Sequence, residues 1–149
     1  MKQILIIITT FVFLQITNAQ DSNWKKKVFG STVQYYNSDE KLMESWTVNH
    51  NGELINNDLG FAVFKYKYDK NGNIIEQKHL DSQRNPAVDN IGVSIYRFKY
   101  DKNNNKIYQG HFGKDGKLMI PNDNIIYSEW FWKYTKNDKL KKMKTKNKF

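Results

Sequence analysis

The chain has 149 residues, no cysteine and a formal net charge of +9, and 15% of it is aromatic. That length supports one domain with a core and leaves too little for two. The lack of cysteine excludes disulfide staples, a thiolate zinc site, a thiol nucleophile and lipid attachment through an N-terminal Cys.

Residues 1–19 read as a cleaved signal peptide. Lys2 supplies the positive start, and Ile4 to Leu14 is an apolar run broken only by Thr9 and Thr10. Thr17-Asn18-Ala19 has the small-x-small spacing of a cleavage site, with the cut before Gln20. An apolar run of eleven residues rises only about 16 Å as a helix, roughly half the hydrocarbon thickness, which argues against an anchor. No later stretch has the length of a membrane span, so a soluble chain, secreted or periplasmic, is expected. The abundance of Asn, Lys and Ile fits an AT-rich bacterial genome.

The remaining sequence repeats itself. Tyr36, Tyr68 and Tyr100 lie 32 residues apart, and Tyr134 follows after 34. Asp69-Lys70-Asn71-Gly72-Asn73 follows one tyrosine and Asp101-Lys102-Asn103-Asn104-Asn105 the next, while Asn37 to Lys41 and Thr135 to Lys139 hold weaker versions. Gly52 and Gly116 correspond, but Arg84 holds that place in the middle copy. Before each tyrosine, apolar and polar residues alternate: Phe64, Tyr66 and Tyr68 with Lys65 and Lys67; Tyr96, Phe98 and Tyr100 with Arg97 and Lys99. A period of two is that of a strand, so each segment carries one aromatic face and one mostly basic face. Asp and Asn followed by Gly or Asn supply the turn, and a second turn is expected at 49–53 and 113–117. Pro86 and Pro121 belong in or beside connections. The expected fold is all-β: an antiparallel meander of repeated hairpins, eight strands or so, forming an open curved sheet or a partly closed barrel. Neighbouring units bury an aromatic face that no single unit can bury alone.

The segments YKYDKNGNIIE and FKYDKNNNKI resemble the YD repeat of RHS-type bacterial proteins, in which a Tyr-Asp pair precedes a turn and a returning strand. The resemblance extends over roughly residues 30–140 and is strongest over 60–120. It implies a tandem β-repeat architecture. The first and last copies lack the Tyr-Asp pair, and the few units here are too few for the enclosing shells such proteins build.

Several residues invite chemical readings. His79 and His111 occupy equivalent places; a shared metal would want a third ligand, and the first copy has Thr47 there, so they read as repeated surface residues. Asp69-x-Asn71-x-Asn73 opens like a calcium loop, yet Gly72 is fourth and Leu80 twelfth, where such a loop wants Gly sixth and Glu twelfth. Glu76, Asp81 and Glu129 are the carboxylates a hydrolase could draw on, but no nucleophile elbow, metalloprotease, P-loop or dinucleotide motif accompanies them. No cofactor, no metal and no catalysis are expected.

Trp130-Phe131-Trp132 places an apolar residue where the other copies have a base. It is either a covered closing strand or an aromatic platform suited to sugar rings. The charge lies beyond it. Residues 133–149 hold eight Lys and one Asp, a net +7, and residues 20–132 carry only +1. We read 20–135 as the repeat domain and 136–149 as a basic C-terminal tail. The candidate binding residues are Trp130, Trp132, Lys133, Lys141, Lys142 and Lys144. The expected function is an exported binding module, its ligand an anionic polysaccharide of the cell surface or envelope. A role as inhibitor or immunity-like partner of a secreted protein is the alternative, and a small hydrolase the third; nucleic acid is not expected.

Overall fold

The computed structural model describes residues 23–119 and 127–146. Nine strands form one sheet: β1 (Lys25–Phe29), β2 (Thr32–Tyr36), β3 (Leu42–Thr47), β4 (Val63–Tyr68), β5 (Ile74–Leu80), β6 (Ile95–Tyr100), β7 (Lys106–Phe112), β8 (Glu129–Tyr134) and β9 (Leu140–Lys146). Their order in the sheet is their order in the chain, and every pairing is antiparallel. β1 and β9 are open edges, so the expected meander is an open sheet and not a barrel. The leader expected at 1–19 and the connection containing Pro121 lie outside the described residues. Among the described residues no helix is long and apolar enough to cross a membrane.

One local device builds the meander. Turns of five residues begin at Asn37, Asn49, Asn57, Asp69, Asp81, Asp89, Asp101, Gly113 and Thr135. In each, the first residue's N–H donates to the fifth carbonyl, and the fourth N–H donates to the first carbonyl. The fourth residue always has positive φ: Glu40, Gly52, Gly60, Gly72, Arg84, Gly92, Asn104, Gly116 and Asp138. Where Asp or Asn leads, its side-chain oxygen accepts the third and fifth N–H as well. Asp69 Oδ1 does so from Asn71 and Asn73, both at 2.9 Å. Thr135 Oγ1 makes the same pair of bonds at 3.3 and 3.2 Å. The turns at Asn57 and Asp89 were not anticipated as turns. The starting positions advance by 12, 8 and 12, which is the repeat of 32.

The tyrosines mark where each hairpin closes. Tyr36, Tyr68, Tyr100 and Tyr134 are the last paired residues before the first turn of each unit, and each follows a bulge. The bulge leaves one residue of the returning strand unpaired, which locally increases twist. Between units, Thr47, His79 and His111 hold equivalent places: each donates its N–H to the start of the next hairpin, at Ala62, Ser94 and Ser128. Met119 and Ser128 bracket the connection that is two residues longer than its predecessor, which accounts for the 34-residue step.

Alternation sorts the side chains onto two faces, but the packed core lies on the face expected to be basic and not on the aromatic one. Val33, Tyr35, Val63 and Leu80 share that face with Glu44, Lys65 and Lys78, because its apolar residues on β2 to β5 are covered by Trp46 and Leu54. Trp46 and Leu54 pack against both of its buried clusters. The edge strands are lysine-rich, Lys25 to Lys27 on β1 and Lys141, Lys142, Lys144 and Lys146 on β9. Lysines on an open edge deter addition of a further strand. Leu140–Lys146 is thus a full strand of the sheet, paired with β8 along its length.

Left-handed residues other than glycine reach back one unit. Asn104 Oδ1 accepts from Asn71 Nδ2 at 3.2 Å and from Asn73 Nδ2 at 2.9 Å. Asp138 Oδ1 accepts from Asn103 and Asn105 at 2.8 Å each. Adjacent turns are therefore tied through the position that sterics would reserve for glycine. At Gly72 a Cβ would meet only the Lys41 side chain, at 3.8 Å.

Urea unfolding tests this tie. Asn104→Ala should cost about 1–2 kcal/mol, since it loses both bonds and keeps a Cβ at positive φ. Asn104→Gly should cost less, and Gly72→Asn should cost about 1 kcal/mol despite the open space, because its φ of +88° strains any side chain. An Ala variant as stable as the parent would show that the ties between turns contribute nothing.

Candidate functional site

The two faces of the sheet differ in chemistry. On the first, β4, β6 and β8 present Phe64 and Tyr66, then Tyr96 and Phe98, then Trp130 and Trp132, all half-buried. The intervening strands present glutamines. Tyr66 pairs across with Gln77 and Gln77 with Tyr96; Phe98 pairs with Gln109 and Gln109 with Trp130. Two rows of aromatic, glutamine, aromatic result, related by the repeat. A groove of about 320 Å³ lies between the outer rings of the two rows, Tyr66 and Trp130, floored by Gln77, Tyr96, Phe98 and Gln109 and walled by Leu59 and Asn90 from the turns at Asn57 and Asp89.

His79 and His111 are not surface residues. They are 2% and 6% exposed, and they form the buried end of this aromatic face. The reason is their place at the junction between units, where connection residues Phe61 and Val93 cover His79 and the strand residues Tyr96 and Trp130 cover His111. His79 stacks on Phe61 at 4.3 Å, and His111 lies between Tyr96 (4.8 Å) and Trp130 (4.5 Å). His79 Nδ1 donates to the Val93 carbonyl at 3.1 Å, which leaves Nε2 to accept from the Gln77 amide at 3.2 Å. That pattern requires the neutral ring. Burial pushes its pKa below the usual value, against the opposing Val93 bond and Asp89 charge. Burial lowers His111 likewise, against Asp89. Tyr96 Oη donates to Asp89 Oδ2 at 2.6 Å; burial and that carboxylate push the phenol well above its ordinary range.

The opposite face is ionic. Glu44, 1% exposed, accepts Arg84 Nη2 on both oxygens at 2.8 Å and Trp46 Nε1 at 2.7 Å, with Lys65 at 3.4 Å. Arg84 thus holds its left-handed place, φ 65°, for a reason: its guanidinium reaches back to a buried carboxylate. Glu76 meets Lys67 at 2.8 Å and Arg97 at 3.0 Å. Its burial works against ionisation, but these two cations outweigh it and lower its pKa. Glu129 accepts from Tyr108 Oη at 3.0 Å; burial and this carboxylate push the Tyr108 phenol up to about 12. The three carboxylates open to hydrolytic use are therefore engaged separately, since Asp81 caps its own turn through Gln83 and Asn85. Asp69 is likewise occupied by amides, its second oxygen accepting Asn73 Nδ2 at 3.0 Å, so the calcium-like spacing is that of a turn. Among the described residues no three His, Cys, Asp or Glu side chains cluster as a metal site would need.

One register position shows how this face changes along the sheet. Lys67 stands opposite Glu76, Lys99 opposite Tyr108 and Lys133 opposite Lys142. The first is a salt bridge and the second places the ammonium 5.2 Å from the ring centre. The third sets like charges face to face. Lys144 and Lys146 share this face, opposite Phe131 and Glu129. Of the residues singled out from sequence, Lys133, Lys142 and Lys144 come together here, all exposed. Lys141 is the unpaired residue at the bulge. Trp130 and Trp132 project from the other face, where Lys106 Nζ sits 4.8 Å from the Trp132 ring centre. Phe131 is on the basic face, 37% exposed and packed against Tyr108. The six residues therefore form two surfaces, not one. Sequence reasoning missed the turns at Asn57 and Asp89 that wall the groove. The spacing from Asn57 to Gly60 and from Asp89 to Gly92 matches that from Asp69 to Gly72 and could have revealed them.

No protein-family model matches the chain, and no curated protein matches it.

The buried imidazoles make stability depend on pH. Unfolded, each binds a proton near 6.5; folded, each resists it to lower pH. The unfolded state then holds more protons, so stability is full above that value and falls as the solution is acidified. Tm should drop between about pH 7.5 and 5.5, and NMR titration should place both imidazoles below the ordinary histidine value. Titration of both rings at or above that value would contradict the neutral assignment.

Proposed function

We propose that the chain is an exported module of YD-like repeats that works by binding and not by catalysis. Its ligand is an anionic polysaccharide of the cell surface or envelope, held on the basic face of β8 and β9. The observation that carries this reading is the Lys133–Lys142 pair. The same register position is neutralised in one unit by Glu76 and softened in the next by Tyr108. In the last unit it is occupied by two lysines directly opposite. Like charges in that arrangement destabilise a sheet, and a bound anion relieves the repulsion. Lys144 and Lys146 extend the stripe along β9, and Phe131 offers it an exposed ring. Farther along the same face, an open depression of about 660 Å³ is lined by Lys67, Arg97 and Lys99 but also by Asp69 and Glu76, so its charge is largely paired and the free cations concentrate on β8 and β9. That Glu44, Glu76 and Glu129 are each tied to structural partners supports binding over hydrolysis.

Retention on polygalacturonate, compared with neutral dextran, tests the proposal. The protein should bind the acidic polymer alone and lose it as salt rises, because the Debye length shrinks from about 10 Å at 0.1 M to about 3 Å at 1 M. Replacing Lys133, Lys142 and Lys144 together with Gln should weaken binding by about tenfold or more with an unchanged CD spectrum. Equal retention of parent and variant, or equal retention on dextran, would refute it.

A further inference from the structure

The aromatic face carries a periodicity that the polyanion reading does not use. We propose that its groove is a binding site for a proline-rich peptide in the polyproline II conformation, with a basic residue at one end.

The geometry comes from the sheet. Tyr66 and Tyr96 lie in one cross-strand row with Gln77 between them; Phe98 and Trp130 do the same around Gln109. Neighbouring strands are about 4.8 Å apart, so the aromatics in a row are spaced by about 9.6 Å. A polyproline II chain returns to the same side every three residues, about 9.3 Å. A fully extended peptide does not fit this rule, because residues three apart on a strand point to opposite sides. A chain crossing the strands along a row would set every third side chain against the ring faces.

The polar groups agree. Each glutamine uses one amide N–H on a buried histidine, at 3.2 Å for Gln77 and 3.3 Å for Gln109. The other N–H has no partner among the described residues, and each glutamine is paired with an aromatic residue on either side. A polyproline II backbone makes no internal hydrogen bonds, so its carbonyls are free to accept there. Asn90 adds a further amide at the groove wall.

Charge selects the end group and its position. Asp89 is the one charged side chain lining the groove. Its Oδ1 accepts from Ile91 and Val93, and its Oδ2 from Tyr96 Oη, which leaves Oδ2 room for one more donor. At the other end Lys106 lies over the Phe98 and Trp132 rings and bonds Gln109 Oε1 at 3.0 Å. An arginine of the ligand therefore belongs at the Asp89 end. The same carboxylate repels an anionic polymer, so this site is separate from the basic face.

Calorimetric titration of the full chain decides the matter with four probes. These are a proline decamer, the same decamer with a terminal Arg, a Gly-Ser decamer with that Arg, and a β-1,4-linked glucose hexamer. Both proline peptides should bind one to one, the arginine-bearing one about threefold tighter. The other two probes should not bind. Asp89→Asn should abolish the difference between the proline peptides, and the comparison is made between the two peptides on the variant itself because Asp89 also holds Tyr96 of the groove floor. The variant keeps its turn, because Asn37, Asn49 and Asn57 lead the same turn. Phe98→Ala should weaken both by about tenfold, with the CD spectrum as the check on folding. The proposal is overturned if neither proline peptide binds, if the Gly-Ser peptide binds equally, or if only the glucose hexamer binds. It is also overturned if the arginine preference survives Asp89→Asn. Loss of polygalacturonate binding in the lysine variant does not bear on any of these outcomes.

Discussion

A single side-chain oxygen accepting two backbone N–H groups is the interaction on which this sheet rests. Asp69 Oδ1 bonded to the N–H of Asn71 and Asn73 is one instance, and eight of the nine turns repeat it with Asp, Asn or Thr. The bond fixes a tight reversal of five residues, and the alternation of 12 and 8 residues between reversals sets every strand length and register. A register slip of one residue would turn each strand over and exchange the aromatic face for the ionic one. The turns prevent that slip at both ends of the hairpins, which is why a chain with little fully buried area can specify one arrangement.

The described strands form one layer, so the sheet is stabilised within its own plane more than by packing against a second element. Rows of rings and ion pairs run across it. Phe61, His79, Tyr96, His111 and Trp130 contact in sequence along one face. Glu44 and Glu76 gather cations from two strands or a connection on the other. Glu44 has to be satisfied, since a buried carboxylate without partners is strongly destabilising. Arg84 accepts a left-handed backbone to reach it, in a place where the other two units have glycine. The ties from Asn104 and Asp138 to the preceding turn follow the same logic.

Repetition also explains how binding surfaces arise on such a scaffold. Each unit copies the same frame, and function enters where a copy departs from it. Lys142 in place of Glu76 or Tyr108 leaves charge unneutralised at the last hairpin. The retained glutamine between aromatics, by contrast, is a copied feature, and it gains meaning because two copies set a distance. A ligand with a matching period can read it. The two proposals thus rest on opposite properties of the repeat, one on departure and one on persistence.

Much of this architecture could be read from the residues alone. The alternation around Phe64, Tyr66 and Tyr68 established strands, and Asp69-x-x-Gly72 established the turn, because both depend on neighbours in sequence. The same local logic left the turns at Asn57 and Asp89 unread only because no strand alternation flanks them. What depended on distant partners was not legible. His79 and His111 look like polar surface residues until Phe61, Tyr96 and Trp130 are found packed against their rings. Arg84 looks like a lost glycine until Glu44, forty residues earlier, is found beneath it. Trp130 and Trp132 adjoin Lys133 in sequence yet face away from it, because consecutive residues of a strand point to opposite sides. The order of strands and their turns was thus settled by short-range geometry. Which side chains share a surface was settled only by pairing across the sheet, where residues far apart in the chain come within contact.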